Sequence, residues 1–242
     1  MKKLSVCLSP KLFECYNTEN NIIVIIDLFR ATSVISTAFE FGISKIIPVT
    51  SLEDALKFKN KKNHILAAER NTKLVEGFNY GNSPYHYMEK NIIGKTLVLT
   101  TTNGTKAINL AKGNKIITAS YINFHSVVNY LNSSNNDVTI LCSGWKNFLN
   151  LEDTILAGHI ALVLMKNGLF SSDCESVKIS KQIYLNSRGD VLEFLSNSAY
   201  RKRNNSEELI RDTEFCLKPK IKSQIVPMLE DNYLIPYKFQ NK

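Results

Sequence analysis

Two pairs of an acid and an arginine stand directly after short apolar runs in the first third of the chain. Asp27 follows the run at residues 22–26 and precedes Arg30 by three positions, and Glu69 and Arg70 follow a second run. A carboxylate at such a point can bind a hard cation, and an arginine can bind phosphate, sulfonate or carboxylate oxygens. For the first pair alone, the alternative that the acid and the arginine merely pair with each other is equally good. Two pairs at equivalent places favour a cation and an anion bound together.

Polar residues that can bind an anion follow each of these pairs. Thr32 and Ser33 stand where the sequence predicts the start of a helix, and the free backbone N–H groups of a helix start attract anions. The simpler alternative is that Ser33 only caps that helix. The second pair opens a long polar loop that includes Lys73, Asn82 and Ser83. Because a loop of that length in a compact protein is usually functional, we expect these residues to contact the substrate.

A third apolar run ends in a polar turn made of Thr101, Thr102, Asn103, Gly104 and Thr105. A turn of this kind between a strand and a helix offers backbone and side-chain donors to a phosphate group. It lacks the lysine and the spacing of a nucleotide P-loop. The alternative is an ordinary turn with a threonine or asparagine cap, which three consecutive threonines make the weaker interpretation.

A fourth stretch carries two adjacent acids, Glu152 and Asp153, at the predicted start of a helix. Such acids often only complement the helix dipole. Because this turn also follows a strand, one of them can instead join Asp27 in holding magnesium. Trp145, in the same stretch, either lines a pocket or fills the core. Cys142 is interpreted as a buried structural cysteine, since no arginine follows it at the spacing that activates phosphatase thiolates.

The elements that position these residues follow a regular alternation. Apolar, β-branched runs predict buried strands at residues 4–8, 22–26, 46–49, 65–67, 97–100, 116–119 and 138–141. Helical periodicity lies between them, at residues 31–41, 52–59, 105–112, 124–131 and 151–165. The alternation predicts an α/β fold of three layers, α/β/α, with helices on both faces of mixed or mostly parallel sheets.

The polar loop at residues 70–84 is the best candidate for a boundary between two parts, because it separates two groups of strands. We therefore expect an amino-terminal α/β part at residues 1–78 and a carboxy-terminal α/β part at residues 79–242. After about residue 168 the strand pattern fades. Helices are predicted at residues 172–185, 191–195 and 207–216, before a last apolar stretch at 225–229. No role is predicted for this helical tail.

The net charge of +8 does not indicate a nucleic-acid partner. The lysines are spread along the chain, and the dense basic runs at residues 57–62 and 201–203 lack interleaved aromatic residues. We interpret both runs as solvated helix ends or loops. A positive field would still draw a phosphorylated acid toward a cleft.

The cysteines and the apolar runs bear on the compartment. Five cysteines are scattered without a CxxC pair or zinc-ligand spacing, which predicts a reducing, cytoplasmic setting. The longest apolar stretches are far too short to cross a bilayer, and the run after Met1 is too short for a signal peptide. We therefore expect no membrane partner. A homodimer is possible on general grounds, because dimers are the commonest oligomers of enzymes.

In this order, four stretches resemble the 2-phosphosulfolactate phosphatase family: DLFRATS, AERNTKLVEGFNYGNSP, LTTTNGTKA and CSGWKNFLNLEDT. The similarity spans roughly residues 20–165, and the later segments FCL and IVP also look similar. As a set the motifs are specific, although each alone is weak. This sequence has Thr72 where the family often has glycine and Asn79 where it often has aspartate.

The resemblance implies magnesium-dependent hydrolysis of 2-phospho-3-sulfolactate to 3-sulfolactate and phosphate, an activity tied to coenzyme M biosynthesis. It also implies a fold of two parts with the site in the cleft between them. Another small phosphorylated hydroxy acid can replace the sulfonated substrate. The expected magnesium ligands are Asp27, Glu69 and one of Glu152 and Asp153. Arg30, Arg70 and the threonine-rich turn would bind the anionic groups.

Three alternative functions would use residues similar to those of a phosphatase. A non-catalytic module could capture a nucleotide or another anion with the same loops, although clustered acids repel an anion unless a cation lies between them. A phosphotransferase and a phosphate-ester lyase would need much the same residues as a phosphatase.

Overall fold

The computed structural model describes residues 1–238. The strands are β1 (Lys2–Cys7), β2 (Ile22–Ile26), β3 (Lys45–Pro48), β4 (His64–Arg70), β5 (Lys73–Leu74), β6 (Thr96–Thr100), β7 (Lys115–Thr118), β8 (Val138–Cys142), β9 (Phe170–Ser171), β10 (Ile225–Glu230) and β11 (Tyr233–Lys238). The helices are α1 (Ala31–Glu40), α2 (Leu52–Leu56), α3 (Gly104–Leu110), α4 (Phe124–Ser133), α5 (Leu151–Lys166), α6 (Glu175–Ser187), α7 (Val191–Leu195), α8 (Ala199–Arg203) and α9 (Glu207–Leu217). Short 3-10 helices lie at Pro10–Cys15, Pro84–Tyr87 and Lys90–Ile92.

All of these strands form one sheet in the order β5-β4-β6-β3-β11-β10-β7-β2-β8-β1-β9. One parallel set contains β4, β6 and β3, and a second contains β7, β2, β8, β1 and β9. The predicted α/β class with a mostly parallel sheet is confirmed, and each of the seven predicted runs forms a strand. The predicted helices of the tail are also present, as α6, α7 and α9.

Strand β2 shows why the fold has three layers. Its five residues, Ile22–Ile26, are fully buried. Ile22, Val24 and Ile26 pack with apolar residues of α4 and α5 on one face, while Ile23 and Ile25 pack with residues of α1 and α3 on the other. Successive side chains of a strand point to opposite faces, so a strand covered by helices on both sides reads as a continuous apolar run.

The hairpin β10-β11 lies in the middle of the sheet and joins the two parallel sets. Strand β10 pairs antiparallel with β7 at Met228 and Ile117, and β11 pairs antiparallel with β3 at Leu234 and Ile46. The two strands also run antiparallel to each other. Three antiparallel pairings in succession mean that the two parallel sets run in opposite directions through the sheet. The apolar stretch at residues 225–229 belongs to this hairpin, which was not predicted from the sequence.

The predicted boundary between residues 78 and 79 stays a prediction. Strands from the two sides of it are neighbours in the sheet, because β6 lies between β4 and β3 and β7 pairs with β2. The loop at residues 70–84 begins with a tight antiparallel turn, in which β5 returns along the end of β4. Within residues 1–238, no helix has the length and apolar character needed to cross a membrane.

Candidate active site

The turn between β2 and α1 holds Asp27 at the end of a buried strand. Its carboxylate accepts hydrogen bonds from the backbone N–H groups of Ala31 and Gly104, and the residue is only 6% exposed. The Thr32 hydroxyl donates to the Asp27 carbonyl at 3.0 Å, and the Ser33 hydroxyl donates to the Leu28 carbonyl at 3.0 Å. Both hydroxyls are therefore occupied in holding the turn, as is common for such residues near their own backbone.

The threonine-rich turn between β6 and α3 lies beside Asp27. Thr101 and Thr105 stabilise the turn reciprocally, since the N–H of each donates to the hydroxyl of the other at 3.2 Å. A Cβ atom at Gly104 would lie 2.7 Å from Asp27 Oδ2 and 2.7 Å from Ala31 Cβ. Only glycine permits so close an approach of α3 to the carboxylate. Asn103 lies next to this contact and lines the pocket described below.

Glu69, near the end of β4, is 5% exposed and faces the same turn. The Thr102 hydroxyl donates to the Glu69 carboxylate at 3.3 Å, and the N–H of Thr72 also donates to it. Thr102 is thus held by Glu69. Arg70 points elsewhere, because its guanidinium donates to the Glu69 carbonyl at 2.7 Å and to the Thr100 hydroxyl at 2.9 Å.

The two acids at the start of α5 have different environments. Both carboxylate oxygens of Asp153 accept backbone hydrogen bonds, from Leu28 N at 2.8 Å and from Gly144 N at 3.1 Å. Asp153 therefore ties the loop after β8 to the loop after β2. Glu152 lines the pocket. Of the two alternatives left open by the sequence, Glu152 is the better placed for a ligand.

Loops from both parallel sets meet at one small pocket. Its walls come from the segments after β2, β4 and β8, from the turn after β6, and from α8. The lining residues are Asp27, Phe29, Arg30, Glu69, Thr72, Asn82, Asn103, Gly144, Trp145, Asn150, Glu152, Tyr200 and Arg203. Seven residues proposed from the sequence are in this set: Asp27, Arg30, Glu69, Asn82, Asn103, Trp145 and Glu152. Other proposed residues lie outside it: Thr32, Ser33, Arg70, Lys73, Ser83, Thr101, Thr102, Gly104, Thr105 and Asp153.

The acids at this pocket are buried and repel one another. Burial raises the pKa of Asp27 well above its usual range, and the nearby charges of Asp153 and Glu69 raise it further. Burial, together with the charge of Asp27, raises the pKa of Glu152 to about 7. Burial and the charge of Glu152 raise the pKa of Asp153 to about 8. The charge of Arg203 opposes this rise at Glu152. Buried acids with raised pKa values are a common feature of functional sites.

This arrangement fits a magnesium ion in its chemistry. Asp27, Glu69 and Glu152 line the pocket, and Asp153 lies next to it. None of these four acids forms an ion pair with a described side chain, so a cation at the pocket would relieve their repulsion. The cage of three protein carboxylates expected from the sequence is not preformed, because residues 1–238 contain no group of three His, Cys, Asp or Glu side chains in a metal-binding arrangement. Magnesium typically uses one or two carboxylates and takes its other ligands from water and phosphate.

Arg30 is held in place by Asp212, a residue that was not predicted from the sequence. It forms an ion pair with Asp212 of α9, and its guanidinium also donates to the Thr72 carbonyl at 3.2 Å. Arg30 is 3% exposed and Asp212 is fully buried. The Ser83 hydroxyl donates to the second oxygen of Asp212 at 2.8 Å, so Ser83 supports this pair and its hydroxyl is not free.

The helical tail also supplies residues to the pocket. The ring of Tyr200 packs on Phe29 with a centroid distance of 5.0 Å. The guanidinium of Arg203 lies 4.6 Å from the ring centre of Trp145, a cation–π contact. The run at residues 201–203 is indeed the end of a helix, as expected, but Arg203 also lines the pocket. Tyr200 and Arg203 were not predicted as site residues. Nothing in the sequence around them shows that α8 packs against the pocket.

Comparison with known proteins places the chain in a family. The family model described as 2-phosphosulpholactate phosphatase matches residues 7–232. A probable 2-phosphosulfolactate phosphatase of Thermotoga petrophila is 38% identical over 202 residues, covering 84% of this chain and 86% of its own. A probable 2-phosphosulfolactate phosphatase of Clostridium botulinum strain Eklund 17B is 33% identical over 237 residues, which cover 96% of this chain and 99% of that protein. A probable 2-phosphosulfolactate phosphatase of Clostridium tetani is 39% identical over 218 residues, which cover 88% of this chain and 91% of that protein. The resemblance inferred from the motifs is thus confirmed, and the chain belongs to the 2-phosphosulfolactate phosphatase family.

Proposed function

We propose that the protein is a magnesium-dependent phosphatase that hydrolyses 2-phospho-3-sulfolactate, or a related small phosphorylated hydroxy acid, to the free acid and phosphate. The names of its relatives support the phosphatase activity. The observation that carries the proposal for this chain is the pocket itself. It combines buried acids that form no ion pair with two arginines, Arg30 and Arg203, so that it offers partners to a cation and to an anion at once.

The residues of the chain divide the task by charge. Asp27 and Glu152, with Glu69 beside them, would hold magnesium, which neutralises charge on the phosphoryl group when bound. Arg30 binds phosphoryl oxygens in an orientation set by Asp212, so little freedom is lost when the substrate arrives. Asn103, whose N–H lies at the start of α3, adds a polar contact to the same side of the pocket.

Burial strengthens these interactions. Arg30 and the acids are largely removed from water, and charges in such an environment interact more strongly than at a surface. Groups that are already oriented toward the developing charge stabilise a transition state without rearranging. The aromatic rings of Phe29, Trp145 and Tyr200 form the apolar part of the wall.

The alternative of a non-catalytic anion-binding or nucleotide-binding module is less consistent with this pocket. Four buried acids would repel a nucleotide phosphate unless a cation accompanied it. A role in coenzyme M biosynthesis, a cytoplasmic location and a homodimer belong to the same proposal. The five free thiols agree with a reducing compartment.

Phosphate release from 2-phosphosulfolactate and from a panel of small phosphorylated hydroxy acids, with magnesium and with a chelator, tests the proposal. We expect release that the chelator abolishes. Release from another member of the panel alone would keep the chemistry and change the substrate. The phosphatase proposal fails if no compound is hydrolysed, and magnesium is excluded if the chelator has no effect.

A further inference from the structure

The short helix α8 brings two polar groups to the small pocket, the hydroxyl of Tyr200 and the guanidinium of Arg203. The two residues are three positions apart, and residues at this spacing lie on the same face of a helix. The α8 side of the pocket therefore offers a hydroxyl and a cation in addition to Arg30, which lies on the other side of the acids' turn in α1's first residues' neighbourhood at the end of β2.

The Tyr200 hydroxyl has no hydrogen-bond partner among residues 1–238, although Tyr200 is only 6% exposed. Burial raises the pKa of Tyr200, and the charge of Arg30 only opposes this rise, so the hydroxyl is protonated at neutral pH and can donate. A buried hydroxyl without a partner is unfavourable, and such groups are usually satisfied by a ligand or a water. In a pocket for anions, the missing partner is an oxygen that accepts a hydrogen bond.

Arg203 differs from the other arginine of the pocket in burial and in pairing. Arg30 is 3% exposed and paired with Asp212, whereas Arg203 is exposed and pairs with no acid in the described part of the chain. Its guanidinium lies against the ring of Trp145, and stacking of this kind leaves the N–H groups at the edge of a guanidinium available to an anion. Its charge also acts inside the pocket, since it opposes the rise that burial causes in the pKa of Glu152.

Hydrogen bonds to two other segments hold α8 at the pocket. The guanidinium of Arg201 donates to the Thr213 hydroxyl of α9 at 2.8 Å. Asn204, directly after α8, accepts a hydrogen bond from the Thr72 hydroxyl at 3.1 Å. The backbone that carries the two polar groups is thus fixed before a substrate arrives, which lowers the cost of binding.

The order of groups along a three-carbon substrate indicates which of them α8 meets. In 2-phospho-3-sulfolactate the carboxylate is bonded directly to the phosphorylated carbon, whereas the sulfonate stands one carbon further away. Arg203 is exposed and also lines the open cavity beside the pocket, so it lies at the pocket's mouth. We propose that Tyr200 and Arg203 bind the sulfonate and that α8 thereby selects for a sulfonated acid. This inference rests on the proposed function in placing the phosphoryl group at the acids.

Phosphate release from a matched pair of compounds tests the inference. 2-Phospholactate keeps the phosphate and the carboxylate of 2-phospho-3-sulfolactate and has a hydrogen atom in place of the sulfonate. We expect Arg203→Gln to lower kcat/KM about ten- to hundredfold for the sulfonated compound, as the loss of a charge-assisted hydrogen bond implies, and less than about threefold for 2-phospholactate. Lys202→Gln, at an exposed lysine of the same helix, should change neither value.

Tyr200→Phe is the second variant, and it separates binding from folding. It should lower kcat/KM for the sulfonated compound about tenfold and spare 2-phospholactate, because it removes one hydrogen-bond donor. It should not lower the melting temperature, because the hydroxyl that it removes is buried without a partner and the ring on Phe29 is kept.

Binding of the free acids tests the assignment without hydrolysis and without magnesium. Trp145 is the one tryptophan of the sequence and lies against Arg203, so its fluorescence reports a ligand at α8. With a chelator present, we expect 3-sulfolactate to bind at least about tenfold more tightly than lactate, and Arg203→Gln to abolish this difference.

Equal losses for the two phosphorylated compounds in Arg203→Gln would mean that this arginine binds the phosphoryl group or the carboxylate, and would overturn the inference. The absence of a difference between 3-sulfolactate and lactate, or a preference for sulfonated compounds that survives both variants, would overturn it as well. A preference in binding without any phosphate release would reject the proposed phosphatase and support the sulfonate assignment.

Discussion

Replacing Asp212 with asparagine removes the counter-charge of a buried arginine while keeping the shape of the side chain. Arg30 is 3% exposed and Asp212 is fully buried, so water cannot replace the lost charge. Removing one partner of such a pair typically destabilises a protein by about 3–5 kcal/mol. For a chain of this size, each 1 kcal/mol corresponds to roughly 2–4 °C, which gives an expected fall in melting temperature of roughly 6–20 °C.

Urea unfolding and thermal unfolding measure the loss of stability, and phosphate release measures the effect on the site. Because Asp212 orients Arg30, we also expect kcat/KM to fall by about 10²-fold under conditions where the variant is folded. Asp173→Asn is the matched control, since Asp173 forms an exposed pair with Lys3 and its loss should leave the unfolding midpoint unchanged. A variant Asp212→Asn as stable and as active as this control would refute the reasoning.

The remaining predictions concern the buried acids of the site and Gly104, which lies against Asp27. Gly104→Ala should abolish phosphate release, because the new Cβ would displace the Asp27 carboxylate that lies 2.7 Å from its position. Asp27→Asn should abolish magnesium-dependent turnover yet leave the protein folded, as seen by circular dichroism, because it removes a repelling charge. The pKa values of Glu152 and Asp153 are raised to about 7 and about 8, so without magnesium the urea midpoint should fall as the pH rises from about 4 to about 8.

Each of these predictions has a contrary outcome. Gly189→Ala, at a glycine whose added Cβ would meet nothing within 4 Å, should leave activity intact, and an equal loss in both alanine variants would argue against the close contact. Asp27→Asn with retained turnover would remove Asp27 from the metal site. A urea midpoint that stays level or rises across that pH range without magnesium would contradict the burial of acids that form no ion pair.

The sequence predicted most of the fold because its strands are buried on both faces. Runs such as Ile22–Ile26 are apolar throughout and end at polar residues, which makes both the strand and its end visible. The hairpin β10-β11 lacked this signal. Pro227 and Pro236 stand opposite each other in it, and proline normally argues against a strand inside a sheet because it has no N–H to donate.

The site residues that stand at strand ends could be predicted from the sequence. Those whose position depends on tertiary packing could not. Asp27, Glu69 and Glu152 were proposed from their positions after strands, and the structure brings them to one pocket. Asp212 was missed because an acid in the middle of a helix is usually solvated, and nothing local shows that α9 covers Arg30. Arg70 was proposed to bind an anion because it is an arginine at a strand end. Its guanidinium instead donates a hydrogen bond to the Glu69 carbonyl.

The central hairpin makes the order of synthesis matter for assembly. The strands that complete the middle of the sheet come from residues 225–238, whereas the strands that they join begin at residues 45 and 115. A ribosome must therefore have synthesised residues 225–238 before the two parallel sets can be joined, and until then their inner edges remain unpaired. Contacts of such long sequence separation slow folding and leave strand edges exposed to aggregation. We expect the nascent protein to depend on chaperones more than its size alone would suggest.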